Sequence, residues 1–167
     1  MCSEVLVIFN FFRNKKSEEI YSPVDGKVIS LAEVNDLVFS QKLIGDGFAV
    51  IPETNVVYSP CSGCVTSIFP TKHAIGITTE NGLQVLVHMG IDTVSMKESP
   101  FELYVDKNTN IKFGDKLAKI DMEKITKYNK EIPIIVIVTN MDEVKEISEF
   151  TEEKLKCKES VIKVTLN

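Results

Sequence analysis

The sequence is poor in cysteine, in histidine and in long apolar runs, and it has no surplus of basic residues. Four cysteines, at positions 2, 61, 64 and 157, occur in 167 residues. That number and spacing do not make the disulfide framework of a small secreted domain, so a reducing, cytoplasmic setting is expected. Lysine and arginine total 19 against 24 acidic residues, a net charge of −5. Nucleic acid is not an expected partner, because phosphate backbones are bound by an excess of Lys and Arg. An acidic surface suits a basic protein instead. The apolar share of 44% is that of a folded domain rather than a disordered chain. One domain of this length buries a core without covalent staples.

The apolar stretch Val5 to Phe12 is far shorter than the roughly 20 residues of a membrane-spanning helix. Arg13, Lys15 and Lys16 follow it, the reverse of the order in a secretory signal. Residues 1–18 are read as a tail. It is either frayed, added to a sheet edge, or peripheral at a membrane through its aromatics and lysines. Residues 19–167 are read as the folded domain.

From Glu19 onward short apolar runs alternate with turn residues. Strands are expected at Val28–Leu31, Phe48–Ile51, Val65–Phe69, His73–Thr79, Leu83–Met89, Phe101–Val105, Lys116–Ile120, Ile134–Thr139 and Val161–Thr165. Turn signals separate them at Asp25-Gly26, Gly45-Asp46-Gly47, Asn81-Gly82 and Gly114-Asp115. This pattern predicts an all-β antiparallel sandwich or barrel. Helix is confined to one or two short pieces. Asp121 caps a turn carrying Met122, Ile125 and Tyr128, and Asn140 with Glu143 resembles a capping box before Val144 and Ile147. One motif occurs twice: Tyr21-Ser22-Pro23-Val24-Asp25-Gly26-Lys27-Val28 and Tyr58-Ser59-Pro60-Cys61-Ser62-Gly63-Cys64-Val65 share Y-S-P-x-x-G-x-V. Each copy reads as an extended entry before proline, a turn at glycine and a strand start, so two related halves are expected.

The two histidines, His73 and His88, flank Asn81-Gly82, the strongest short-range hairpin signal. With a two-residue loop His88 faces Ile75, His73 faces Gly90, and both imidazoles share a face at roughly 5–8 Å between Cβ atoms. A four-residue loop makes them direct partners; a three-residue loop sends them to opposite faces. The two-residue register also places Ile75, Ile77 and Leu86 beside them and turns Val85 and Val87 into the core. Paired imidazoles serve metal binding, acid–base work or nucleophilic transfer through a ring nitrogen. Two histidines without H-E-x-x-H or H-x-H make at most incidental zinc ligands. Thr71 is placed to orient His73, and Asp92 follows His88 by four residues. The residues by themselves leave the three chemistries open.

The strings Thr71-Lys72-His73-Ala74 and His88-Met89-Gly90-Ile91-Asp92-Thr93-Val94 resemble enzyme IIA of the glucose type from the bacterial phosphoenolpyruvate-dependent sugar phosphotransferase system. The likeness extends through Ser22-Pro23, Gly45-Asp46-Gly47, Gly114-Asp115 and Thr139-Asn140-Met141-Asp142-Glu143, roughly Glu19 to Val164. It implies a β-sandwich of the duplicated hybrid type. It implies that His88 accepts a phosphoryl group on its Nε2 (tele) nitrogen from the phosphocarrier protein HPr and donates it to the cysteine of a IIB domain of a sugar permease. His73 would stabilise the phosphoryl oxygens and Thr71 would hold its ring. Asp36 and Asp92 match acidic positions that meet basic partners; Val38, Phe39, Ile44, Phe69, Ile75 and Leu86 match an apolar docking patch. No cofactor is implied, in keeping with the lack of G-x-x-x-x-G-K-[ST].

Three other readings compete. Cys61-Ser62-Gly63-Cys64 is a C-x-x-C, redox-active or half a zinc site in other settings, here inside the repeated turn. A swinging-arm carrier needs a lysine at a hairpin tip, where this chain has Asn81-Gly82. A zinc hydrolase needs more ligands than two histidines.

Overall fold

Glycine and aspartate break the β-branched runs into short strands, fourteen among the described residues, which are 16–128 and 130–167 of this computed structural model. In chain order they are β1 (Ser17–Tyr21), β2 (Gly26–Ser30), β3 (Asp46–Pro52), β4 (Val56–Tyr58), β5 (Gly63–Ile68), β6 (Ala74–Thr78) and β7 (Gln84–Met89). There follow β8 (Phe101–Leu103), β9 (Asn110–Ile111), β10 (Lys116–Ile120), β11 (Ile134–Val138), β12 (Val144–Ile147), β13 (Lys154–Leu155) and β14 (Ser160–Leu166). Two short helices, α1 (Leu37–Ser40) and α2 (Met122–Lys127), interrupt them. Residues 1–15 of the expected tail lie outside the described residues, and β1 takes in its last two, Ser17 and Glu18.

All pairings are antiparallel. One sheet has eight strands in the order β13-β2-β3-β11-β7-β6-β5-β9, and two three-stranded sheets run β1-β14-β12 and β4-β10-β8. The strand order reads the same from either end once β2 is matched to β5, β3 to β6 and β11 to β7. The fold is thus the expected antiparallel β-sandwich, built from two related halves. Every residue of β11 is buried because the central strand is covered on both faces. Ile134, Val136 and Val138 enter the main core between the sheets; Ile135 and Ile137 enter a smaller cluster with Leu31, Val34 and Phe39.

The repeated motif lies where the halves meet, and its hydrogen bonds are reciprocal. Tyr21 N–H donates to the Pro60 carbonyl at 3.0 Å, and Tyr58 N–H donates to the Pro23 carbonyl at 2.7 Å. The buried serines repeat the pattern: Ser22 Oγ donates to the Val24 carbonyl at 2.8 Å and Ser59 Oγ to the Cys61 carbonyl at 2.6 Å. Each motif glycine passes against a neighbouring strand. A Cβ at Gly26 would lie 2.1 Å from the Ile51 carbonyl oxygen, and one at Gly63 would lie 2.4 Å from that of Thr78. The identities shared by the copies are therefore those that packing one half on the other demands.

Two local expectations are resolved in opposite senses. Asp121 caps α2, its carboxylate accepting from Lys124 N–H at 3.1 Å. Asn140 is not a cap. Its side chain accepts from Gln84 N–H at 2.8 Å and donates to the Gly82 carbonyl at 3.0 Å, fastening the end of β11 to the β6–β7 hairpin. One 3-10 turn, Met141–Glu143, follows, and Val144–Ile147 is strand β12 rather than helix. Pairing with β14 outweighs the weak local helix signal.

Candidate active site

His88 sits near the end of β7, opposite Ile135 on one neighbouring strand and Ala74 on the other. Its ring meets the edge of Phe39 at 4.8 Å between centroids, on the sheet face away from the main core. His73 precedes β6, in the loop Pro70–His73 that joins it to β5. Its carbonyl accepts from Met89 N–H at 2.7 Å. The two imidazoles stand 4.9 Å apart, inclined at 75°, with Phe69 against His73 at 5.4 Å. Thr71 Oγ1 lies 2.5 Å from Nδ1 of His73. With the hydroxyl as donor, Nδ1 is occupied and the ring proton sits on Nε2.

The histidines meet by a different route from the expected one. The hairpin loop has three residues, Glu80–Gly82: Thr79 N–H donates to the Leu83 carbonyl at 2.9 Å, and Gly82 takes the left-handed φ of 88° that such a loop requires. This register pairs Ala74 with His88 and turns Ile75 and Ile77, opposite Val87 and Val85, into the core. Strict alternation would then send residue 73 away from His88. His73 is in the loop, however, directly after Lys72 at φ 62°, so strand alternation does not govern its side chain.

Burial sets the electrostatics. The pKa of His88 is pushed down to about 4, first by desolvation and then by the neighbouring His73, with Asp36 and the Gly90 backbone offsetting this in part. His73 is also lowered by desolvation. Both rings are therefore neutral at physiological pH, and a neutral imidazole has the free lone pair that a nucleophile needs. Nδ1 of His88 is buried without a hydrogen-bond partner, which leaves Nε2 as the nitrogen open to a partner. The expected observation is that the His88 ring protons keep their neutral-imidazole NMR shifts from pH 8 down to about pH 5. The linked stability change has a definite sign. Above about pH 6.5 His88 contributes none; below it the unfolded chain takes up a proton that the folded chain refuses until about pH 4. Stability thus falls as pH drops through that window, by up to about 3 kcal/mol, and denaturant titrations across it measure the loss.

Apolar side chains are exposed on α1, whose Phe39 meets His88, and in the loop that carries Phe69 and His73. Val38, Ile44 and Phe69 are exposed as expected, and Leu86 is half-buried. Two residues of the expected docking patch are not at the surface. Phe39 is buried, with its ring on His88, and Ile75 is wholly inside the main core. Two further apolar residues are exposed, Leu37 at 70% on α1 and Val94 at 54% in the loop after His88. An apolar residue reads as core in a sequence, so only a helix as short as α1 betrays the first, and nothing betrays the second. Asp36 caps α1, accepting from Val38 N–H at 2.8 Å, and its charge is felt at His88. Asp92 is exposed but paired with Lys130 at 3.2 Å. Cys61 is buried and its thiol is pushed up to about 12, which removes it from thiolate chemistry. Among the described residues no three His, Cys, Asp or Glu side chains converge as a metal site.

Residues 18–144 match the family model of the phosphoenolpyruvate-dependent sugar phosphotransferase system, EIIA 1. The chain belongs to this family. It is 40% identical over 153 residues to the glucose-specific EIIA component of Staphylococcus epidermidis RP62A, covering 91% of this chain and 92% of that protein. It is 46% identical over 150 residues, 90% of this chain, to the glucose-specific EIICBA component of Streptococcus pneumoniae, of whose length it spans only 21%. Among solved structures the glucose permease IIA from Mycoplasma capricolum superposes with a TM-score of 0.83 at 36% identity, over 89% of this chain and 96% of that one. As an EIIA component the protein is a phosphotransferase of sugar uptake. No helix among the described residues is long and apolar enough to cross a membrane.

One buried and one exposed position of the expected patch separate stability from docking. Ile75→Ala is expected to cost about 2–5 kcal/mol in denaturant melts, as a large-to-small change in a sealed core does. Phe69→Ala, at an exposed position, is expected to leave the melt nearly unchanged and, if this residue docks partners, to weaken their binding in calorimetry.

Proposed function

We propose that His88 is the phosphoryl acceptor of this EIIA component and that His73 and Thr71 stabilise the group it carries. The lone pair on Nε2 of His88 forms the new P–N bond while the P–N bond to the phosphohistidine of HPr breaks. In the onward step a cysteine thiolate of a IIB domain forms a P–S bond and the His88 P–N bond breaks. Nε2–H of His73, its tautomer set by the Thr71 hydroxyl, donates to a phosphoryl oxygen. The observation that carries this reading is the juxtaposition of two imidazoles, 4.9 Å apart, with the rings of Phe39 and Phe69 against them; in this reading the exposed apolar side chains of α1 and the adjacent loops form a rim. Transfer between two protein side chains needs alignment and charge stabilisation more than covalent machinery. The rim excludes water from a hydrolysable P–N bond while partners are docked.

HPr as donor follows from the family's general role, and the EIICBA relative, which carries IIA and IIB in one chain, supports IIB as acceptor. Asp36 and Asp92 sit where basic residues of either partner can approach. This reading places the protein in the cytoplasm, with residues 1–18 the part that would touch a membrane. Incubation with phosphoenolpyruvate, enzyme I and HPr is expected to add one acid-labile, base-stable phosphate per chain. An unchanged intact mass would overturn the proposal.

A further inference from the structure

We infer that Ser99 is a positioning residue for phosphoryl donation, acting through Thr71; the inference rests on the roles proposed above for Thr71 and His73. The loop Pro70–His73 is closed by its own local bonds, Phe69 N–H to the Ala74 carbonyl at 3.0 Å and Lys72 N–H to the Phe69 carbonyl at 2.8 Å. Neither bond holds the backbone at Thr71, whose residue is exposed and whose hydroxyl must stay within reach of His73 Nδ1. The hold comes from 28 positions away: Ser99 Oγ donates to the Thr71 carbonyl at 3.1 Å. The same oxygen accepts from Phe101 N–H at 3.3 Å, which ties the hydroxyl to β8 while its proton goes to the Thr71 carbonyl.

Ser99 is itself mounted on a fixed platform. Glu98 pairs with Lys124 of α2 at 3.1 Å, the Pro100 carbonyl accepts from Asp121 N–H at 2.8 Å, and Phe101 is buried in the main core. The resulting relay runs from the core at Phe101 through Ser99 and the Thr71 backbone to the Thr71 hydroxyl and His73. Lys72, at φ 62°, is a non-glycine residue in a conformation that neighbouring contacts must maintain, so a loosened Thr71 lets this turn relax and carries the imidazole with it. Because the Ser99 bond is exposed, its loss barely touches global stability while it degrades alignment at the site.

The test compares Ser99→Ala, Ser99→Thr, Thr71→Val and the Ser99→Ala/Thr71→Val double variant in single-turnover donation to a purified IIB domain. Acceptance from phosphorylated HPr and thermal melting are followed in parallel. Ser99→Ala is expected to slow donation about five- to tenfold while acceptance stays within about twofold. Its Tm stays within about 2 °C of the parent. Ser99→Thr, which keeps the hydroxyl, restores donation. The double variant is no slower than Thr71→Val alone, because both changes cut one relay. Normal donation by Ser99→Ala beside an impaired Thr71→Val overturns the role of Ser99 alone, as does additivity in the double variant. Normal donation by Thr71→Val overturns this inference and the assigned role of Thr71 together.

Discussion

His88→Ala is expected to abolish phosphoryl acceptance: after incubation with phosphoenolpyruvate, enzyme I and HPr, the variant should carry no acid-labile phosphate. No other group of the site can replace it. The only second imidazole, His73, has Nδ1 engaged by Thr71; with the Thr71 hydroxyl as donor its ring proton is on Nε2, and it then has no free lone pair facing the phosphoryl donor. Loss of the attacking atom costs at least about three orders of magnitude in rate, as removal of a nucleophile generally does. The variant should still fold. His88 is only partly buried at the sheet surface, and its removal also deletes a buried ring nitrogen that has no hydrogen-bond partner. A normal far-ultraviolet spectrum and melt, together with absent labelling, is the expected pair of results. Labelling that survives in His88→Ala would mean that the acceptor lies elsewhere.

His73→Gln separates the two half-reactions. Acceptance is expected to persist within a few-fold, whereas donation to the IIB cysteine falls by about two to three orders of magnitude. The difference follows from the charge of the nucleophile. On the way in, a neutral imidazole attacks, since burial keeps His88 unprotonated at physiological pH. On the way out, an anionic thiolate approaches a phosphoryl group already carrying negative charge, and the repulsion must be offset by a fixed donor on this chain. In the proposed mechanism His73 would fill that place, being 4.9 Å from His88 and in contact with Thr71. A flexible glutamine amide, which Thr71 does not orient in the same way, does not. Quench-flow labelling would show the phosphoprotein accumulating, and sugar phosphorylation by a reconstituted permease would fail. Equal loss of both half-reactions would reduce His73 to a packing residue.

The alternation of β-branched residues with Gly and Asp made the all-β class legible, and the Y-S-P-x-x-G-x-V repeat by itself disclosed two halves. Its reciprocal Tyr21–Pro60 and Tyr58–Pro23 bonds explain why: identical residues survive where the halves make the same contact twice. The strings around His73 and His88 carried the family, because residue types needed for chemistry stand out against any fold background.

Whether those two imidazoles meet was a tertiary matter. Asn81-Gly82 announced a hairpin but not its loop length, and one residue more in the loop reverses the faces of one strand relative to the other. The three-residue loop sent Ile75 into the core, and the histidines converge only because His73 belongs to the turn before β6. Which apolar residues are exposed beside the histidines was equally hidden. Phe39 and Leu37 are both apolar and two positions apart, yet α1 turns the first onto His88 and the second to solvent. Local sequence dictates period and punctuation; which side of a sheet faces water depends on contacts between residues far apart in the chain.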